Sequence, residues 1–179
     1  RHGRNDVRLR LGSGLKTTFN MDALPQERVF FGSSVREALA AEVTRLGARR
    51  VFIASSRSLY RDSSAVSLIA TTLGNRCVAI FDGIEEHAQL DGLLKAIGIA
   101  RDTKADLLVG IGGGSIIDGL KVVQLALAEN AATYDELMAA RKNPSPTTHA
   151  VRQIAIPTTL SGAETTAGGG DRKSTRLNS

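Results

Sequence analysis

The sequence predicts an α/β fold built on a mainly parallel sheet with flanking helices, and three features carry that prediction. Short apolar runs alternate with stretches of helical periodicity at the spacing of βαβ units. The run Leu107-Leu-Val-Gly-Ile111 is continuous, as in a strand buried on both faces. It passes directly into Gly112, Gly113 and Gly114, where a strand must turn sharply before a helix begins.

Taken in order, the chain starts with a basic leader, residues 1–16, followed by an expected short strand over Lys16–Met21. The turn-prone Leu24-Pro25 separates it from a second expected strand, Arg28–Gly32, in a hairpin-like entry. Ser34-Val-Arg-Glu37 fits a capping box, and Val35, Leu39, Val43 and Leu46 recur at helical spacing until Gly47 stops the helix. Val51–Ala54 reads as a buried strand, with Ser55, Ser56, Arg57 and Ser58 as its polar turn. A helix from about Ser63 ends at Gly74, and Cys77–Phe81 follows as a strand in which Cys77 packs as a small buried hydrophobe. Leu90, Leu93, Leu94, Ile97 and Ala100 line one helix face before the strand that ends at the glycines. Helices are expected over 115–129 and around Tyr134–Ala140, the second broken by Asn143-Pro-Ser-Pro146. The last strand is Gln153–Ile156, leading into Pro157-Thr-Thr-Leu-Ser-Gly-Ala-Glu-Thr-Thr166, a loop rich in hydroxyls.

Composition bounds the function classes. At 179 residues one full α/β domain fits and two large ones do not. The formal charge of +5 is concentrated at the ends: residues 1–16 carry five basic groups and one acid, and residues 171–179 three and one. The body between them holds 15 basic and 16 acidic groups, and aromatics are only 4%, so neither a basic patch nor stacking platforms point to nucleic acid. A single cysteine excludes a disulfide scaffold and a cysteine-based metal site. No apolar run reaches transmembrane length and no signal-peptide core is present, which makes a cytoplasmic location the expectation and a membrane partner unexpected. The terminal Asp171–Ser179 segment, after the glycines 168–170, resembles the translated read-through of a sequencing adapter and is set aside as a non-native tail. Residues 17–170 are then the folded domain.

The glycine turn is the leading candidate site. A strand, a glycine turn and a helix N-terminus leave backbone N–H groups aimed at one spot, where the helix dipole adds positive potential suited to phosphate. Ser115 falls at the N-cap or first turn, and the absence of Cβ atoms at 112–114 lets backbone approach a diphosphate. The motif matches neither G-x-G-x-x-G nor the G-x-x-x-x-G-K-[ST] loop. A turn that merely permits tight strand-to-helix packing is the competing reading. Because open parallel sheets bind ligands at the carboxyl edge, the hydroxyl loop after Ile156 can face the same ligand.

Two motifs, Gly112-Gly-Gly-Ser-Ile-Ile-Asp-Gly-Leu-Lys121 and Ile156-Pro-Thr-Thr-Leu-Ser-Gly-Ala-Glu-Thr-Thr166, together resemble the cofactor motifs of the iron-containing alcohol dehydrogenase family. Leu24–Gly32 and Phe81-Asp-Gly83 extend the resemblance over most of residues 17–168. The Pro157 loop is more similar to the maleylacetate reductase branch, and Asp118 with Lys121 to the alcohol dehydrogenases.

The resemblance implies a Rossmann-like domain binding NAD or NADP, followed in the parent by a helical domain with an Asp/His site for iron or zinc. It places Gly113, Gly114 and Ser115 on the pyrophosphate, Gly112 in the same cofactor-binding turn, and Asp118 toward the nicotinamide side. Thr158, Thr159, Ser161 and Thr166 fall on phosphate, ribose or nicotinamide. His87 falls near the cofactor, or is a surface histidine after Glu85-Glu86. Where an acid would hold the adenosine ribose, this chain has Ser56 and then Arg57, which either admit a 2′-phosphate or form a solvated turn.

The expected reaction is hydride transfer between the nicotinamide and a small alcohol or carbonyl, in a homo-oligomeric parent. The metal ligands and helical domain would lie downstream, so this chain is expected to be an inactive fragment. The alternatives are a non-catalytic nucleotide- or phosphate-binding module, or a sister enzyme of the dehydroquinate synthase or glycerol dehydrogenase kind.

Overall fold

The computed structural model describes residues 27–84, 90–142 and 151–165. Its elements run α1 (Val35–Arg45), β1 (Val51–Ser55), α2 (Arg57–Asp62), α3 (Ala65–Leu73), β2 (Cys77–Phe81), α4 (Leu90–Asp102), β3 (Leu107–Gly112), α5 (Gly114–Ala128), α6 (Tyr134–Lys142) and β4 (Arg152–Pro157). A short 3-10 turn, Ala163–Thr165, follows β4. The four strands form one parallel sheet in the order β2-β1-β3-β4. The expected Rossmann-like α/β architecture is therefore present.

Alternation along the strands sends side chains to opposite faces, and helices cover both. Phe52, Ala54 and Leu108 pack on one face against Leu93, Ala96 and Ile97 of α4, Ile116, Leu120 and Val123 of α5, and Leu137 of α6. Val51, Ile53, Leu107, Val109 and Ile111 pack on the other against Leu39 and Val43 of α1 and Val66, Ile69 and Leu73 of α3. Strands β1 and β3 are buried at every position because each has a strand on both sides and a helical layer above and below. Strands β2 and β4 lie at the two edges of the described sheet and are only partly covered.

Several expectations change. Residues 28–32 form no strand: Val29, Phe30 and Phe31 are exposed, Gly32 takes φ +71°, and Arg28 reaches Glu42 while lying over the Phe30 ring at 5.3 Å. The capping box at Ser34 does not close, since its side chain makes no capping hydrogen bond. Such a box forms instead at the start of α6, where Glu136 Oε2 accepts from the Ala132 and Thr133 N–H groups and Thr133 Oγ1 accepts from Glu136 N. The polar segment after β1 is a short helix, α2, capped by Ser56. Cys77 stands on an edge strand and is half-buried, and that burial pushes its thiol above the ordinary value. Helix α5 starts at Gly114 with Gly113 as N-cap, so Ser115 is a first-turn residue. The expected strand over 16–21, the Leu24-Pro25 turn, the Pro144–Pro146 break and the terminal segment lie outside the described residues.

At the amino ends of the strands an ionic network joins distant segments. Glu42, 7% exposed, receives Arg28 and Arg45, and Glu27 receives Arg45 and Arg152. Asp106 accepts from the N–H groups of Arg49 and Arg50 and so aligns the start of β1 with that of β3. This leaves the carboxyl ends of the strands as the face on which the glycine turn opens.

Candidate functional site

Strand order determines where a ligand fits. The chain leaves β1 for β2 on one side and leaves β3 for β4 on the other, so the connections after the adjacent strands β1 and β3 diverge. Such a switch point opens a crevice beyond the carboxyl ends of the strands. Ser56 closes β1 there, the glycines close β3, and the 158–165 loop rises from β4 beside them.

The glycine turn and the hydroxyl loop touch. Thr158 N donates to Gly112 O at 2.9 Å. A Cβ built on Gly113 would stand 3.2 Å from Thr159 Oγ1, and one on Gly114 would stand 3.0 Å from Ser161 Cβ and Oγ. The atoms nearest these glycines therefore belong to the second motif. Gly112 differs: its φ is +155°, a conformation that favours glycine, and its Cβ would fall 2.8 Å from Ile116 Cγ1. Gly112 shapes the turn, whereas Gly113 and Gly114 let the loop lie close over it.

At the start of α5 the carbonyl of Gly113 accepts from Ile116 and Ile117. Among the described residues nothing accepts from the N–H groups of Gly114 and Ser115, which face outward from the first turn of a 15-residue helix. Thr158, Thr159 and Ser161 place exposed hydroxyls on the adjoining loop. A pair of unclaimed backbone donors, a helix dipole and a hydroxyl rim fit the diphosphate of a dinucleotide.

Ser56 lies on the opposite lip, with its amide nitrogen 3.6 Å from a Cβ built on Gly112. Its Oγ accepts from Leu59 N at 3.4 Å as the cap of α2 and stands 3.5 Å from Ser58 Oγ. Asp118 sits one turn into α5 and holds Lys121 Nζ at 2.9 Å. The structure thus gathers Ser56, Gly112, Gly113, Gly114, Ser115, Thr158, Thr159 and Ser161 about one crevice, with Asp118 behind it. His87 and Thr166 lie outside the described residues.

Lys121, at the end of the glycine motif, also donates to the carbonyl of Ala163 at 2.6 Å. Its i, i+3 spacing from Asp118 was the available signal for the ion pair. Nothing in the spacing announced the bond to a loop 42 residues on. Among the described residues no group of three or more His, Cys, Asp or Glu could hold a metal ion. The iron or zinc of the resemblance finds no ligand set among them. No helix among them is long and apolar enough to cross a membrane.

Comparison with known proteins places the chain in a family. Residues 25–170 match the family described as iron-containing alcohol dehydrogenase. Maleylacetate reductase 1 of Cupriavidus pinatubonensis is 33% identical over 151 residues, an alignment covering 83% of this chain and 34% of that protein. NADH-dependent butanol dehydrogenase A of Clostridium acetobutylicum is 30% identical, over 75% of this chain and 33% of that protein. The crystal structure of an iron-containing alcohol dehydrogenase from Corynebacterium glutamicum superimposes with a TM-score of 0.60 and 26% identity, covering 83% of this chain and 34% of that one. The chain thus spans about a third of the length of the relatives it matches. The family match spans residues 25–170, most of the chain and both motif-bearing strands: the chain belongs to the iron-containing alcohol dehydrogenase family.

Proposed function

We propose that this chain is the dinucleotide-binding part of a metal-dependent oxidoreductase that moves a hydride between NAD(P) and a small alcohol or carbonyl substrate in the cytoplasm. The observation that carries the reading is the contact between the two motifs, Thr158 N on Gly112 O at 2.9 Å, at the carboxyl ends of the neighbouring strands β3 and β4. Gly114 and Ser115 offer backbone N–H groups to a phosphate, and the Thr159 and Ser161 hydroxyls donate to it or to a ribose. The Ser56 hydroxyl stands where a carboxylate would reject a 2′-phosphate, so both NAD and NADP are admitted. A bound nicotinamide supplies the hydride chemistry, and the protein's part is orientation and electrostatics. The loop over the glycine turn limits where the dinucleotide can lie.

Equilibrium titration of the chain with NADH and NADPH, followed by nicotinamide fluorescence, tests the binding part. Saturable binding of either is expected, and absence of binding up to about 1 mM, a free energy weaker than about −4 kcal/mol, would refute it. Hydride transfer is tested on the parent protein with Fe²⁺ or Zn²⁺ added, by loss of nicotinamide absorbance with small aldehydes and with maleylacetate. Turnover that persists unchanged after chelation would count against metal dependence.

A further inference from the structure

Helix α5 turns a stripe of hydrogen-bonding groups, the Ile117 carbonyl and the Lys121 and Gln124 side chains, toward the chain around β4. Residues 117, 121 and 124 share one face at helical spacing, and each engages that chain. Gln153 Nε2 donates to the Ile117 carbonyl at 3.1 Å, and Gln124 Nε2 donates to the Val151 carbonyl at 2.7 Å. Between them Lys121 Nζ donates to the Ala163 carbonyl at 2.6 Å and to Asp118 Oδ1 at 2.9 Å. The Lys121 side chain is 15% exposed, so its ammonium is largely withdrawn from water and held by these oxygens.

These contacts fasten the hydroxyl loop at two points. Its start is held by Thr158 N on Gly112 O, and its end by Lys121 on Ala163 O, the residue that opens the 3-10 turn and is 6% exposed. Between the two points the arc Thr159–Ser161 lies on Gly113 and Gly114, with Leu160 fully exposed at its tip. Within the loop, Ala163 N donates to Ser161 Oγ and Thr165 Oγ1 donates to Gly162 O, which stiffens it.

We infer that Lys121 is a positioning residue: its ammonium, oriented by Asp118, holds the 158–165 loop in register with the glycine turn. Asp118 orients that ammonium from the preceding turn of the helix. The loss of one charge-assisted hydrogen bond at the loop's end frees the arc while the sheet stays intact. The effect on ligand affinity rests on the dinucleotide reading above, whereas the effect on the loop does not.

The test compares the 179-residue chain with Lys121→Met, Lys121→Arg and Gln124→Met, by amide hydrogen exchange and by NADH and NADPH titration. Lys121→Met is expected to speed exchange in 158–165 about tenfold and weaken dinucleotide binding by a similar factor, with 107–111 unchanged. Lys121→Arg, which keeps donors for both oxygens, should restore most of both. Gln124→Met, which removes the neighbouring bond on the same stripe, should change neither. The inference fails if Lys121→Met leaves loop exchange unaltered, or speeds exchange equally in 107–111. It also fails if Gln124→Met has the same effect on the loop as Lys121→Met, or if arginine gives no rescue. A wild-type chain that binds neither NADH nor NADPH would sink the dinucleotide reading alone, and the exchange results would still decide the latch.

Discussion

Substituting alanine at two neighbouring glycines should separate the turn that shapes the fold from the turn that serves the site. In Gly112→Ala the new Cβ would lie 2.8 Å from Ile116 Cγ1 and 3.3 Å from Ile116 Cβ, at a φ of +155°. Ile116 is 3% exposed and packed in the core on α5, so it cannot swing away. Backbone strain there costs about 1–3 kcal/mol and the overpacking about 1–3 kcal/mol. The lower chain entropy of alanine in the unfolded state offsets about 0.4–1 kcal/mol of that. A net loss of about 1–5 kcal/mol is expected.

In Gly113→Ala the backbone is already in an ordinary region, with φ −79° and ψ −175°, and the Cβ meets only the exposed Thr159 side chain at 3.2 Å. Stability should change by less than about 1 kcal/mol, because the loop can shift by a few tenths of an ångström. Dinucleotide affinity should nevertheless fall, since that shift moves the Thr159 hydroxyl and the space over Gly114. Urea unfolding paired with NADH titration measures both quantities. Wild-type stability in Gly112→Ala, or a loss in Gly113→Ala as large as in Gly112→Ala, would refute this division of labour.

Three further outcomes are expected. Backbone hydrogen bonds from Ala132 and Thr133 hold the Glu136 carboxyl below its ordinary value of 4.5, so its stabilisation is complete above that pH and is lost as pH falls through the lower folded value. A Glu136→Ala chain should show a flatter decline of Tm on acidification below about pH 4.5 than the wild type, and parallel declines would refute the capping role. Burial raises the Cys77 thiol above its ordinary 9.0, so alkylation at about pH 8 should be slower than for a free thiol and should reach the unfolded rate in urea. Ser56→Asp keeps an N-cap for α2 but brings a carboxylate to the lip of the crevice. NADPH binding should weaken about tenfold relative to NADH, and an unchanged ratio would show that Ser56 does not face the ribose.

Local sequence determined the elements, because burial on one or both faces writes a period into the chain. The apolar runs 51–54, 77–81, 107–111 and 153–156 are the four strands, and the periodic stretches between them are helices. The glycine turn was legible for the same reason, since only residues without Cβ tolerate the path at Gly112. What local pattern cannot supply is the choice between equivalent signals. Ser34-Val-Arg-Glu37 and Thr133-Tyr-Asp-Glu136 both fit a capping box, yet side-chain capping bonds form only at the second. The pattern states which groups can reach one another, and the path of the preceding chain decides whether they do. Strand Arg28–Gly32 failed likewise: its residues suit a strand, but no described strand pairs with it.

The candidate site divides along the same line. Its residue types were readable as two separate motifs, one rich in glycine and one in hydroxyls. Their meeting was not, because it depends on β4 pairing with β3 in a register that sets Pro157 beside Gly112. That register places Thr159 and Ser161 over the two glycines and brings the Ala163 carbonyl to Lys121. Sequence therefore determined which chemistry is present, through composition and period. Tertiary structure alone decided which groups act together, because contacts between residues 42 positions apart arise only when separate strands find a common edge.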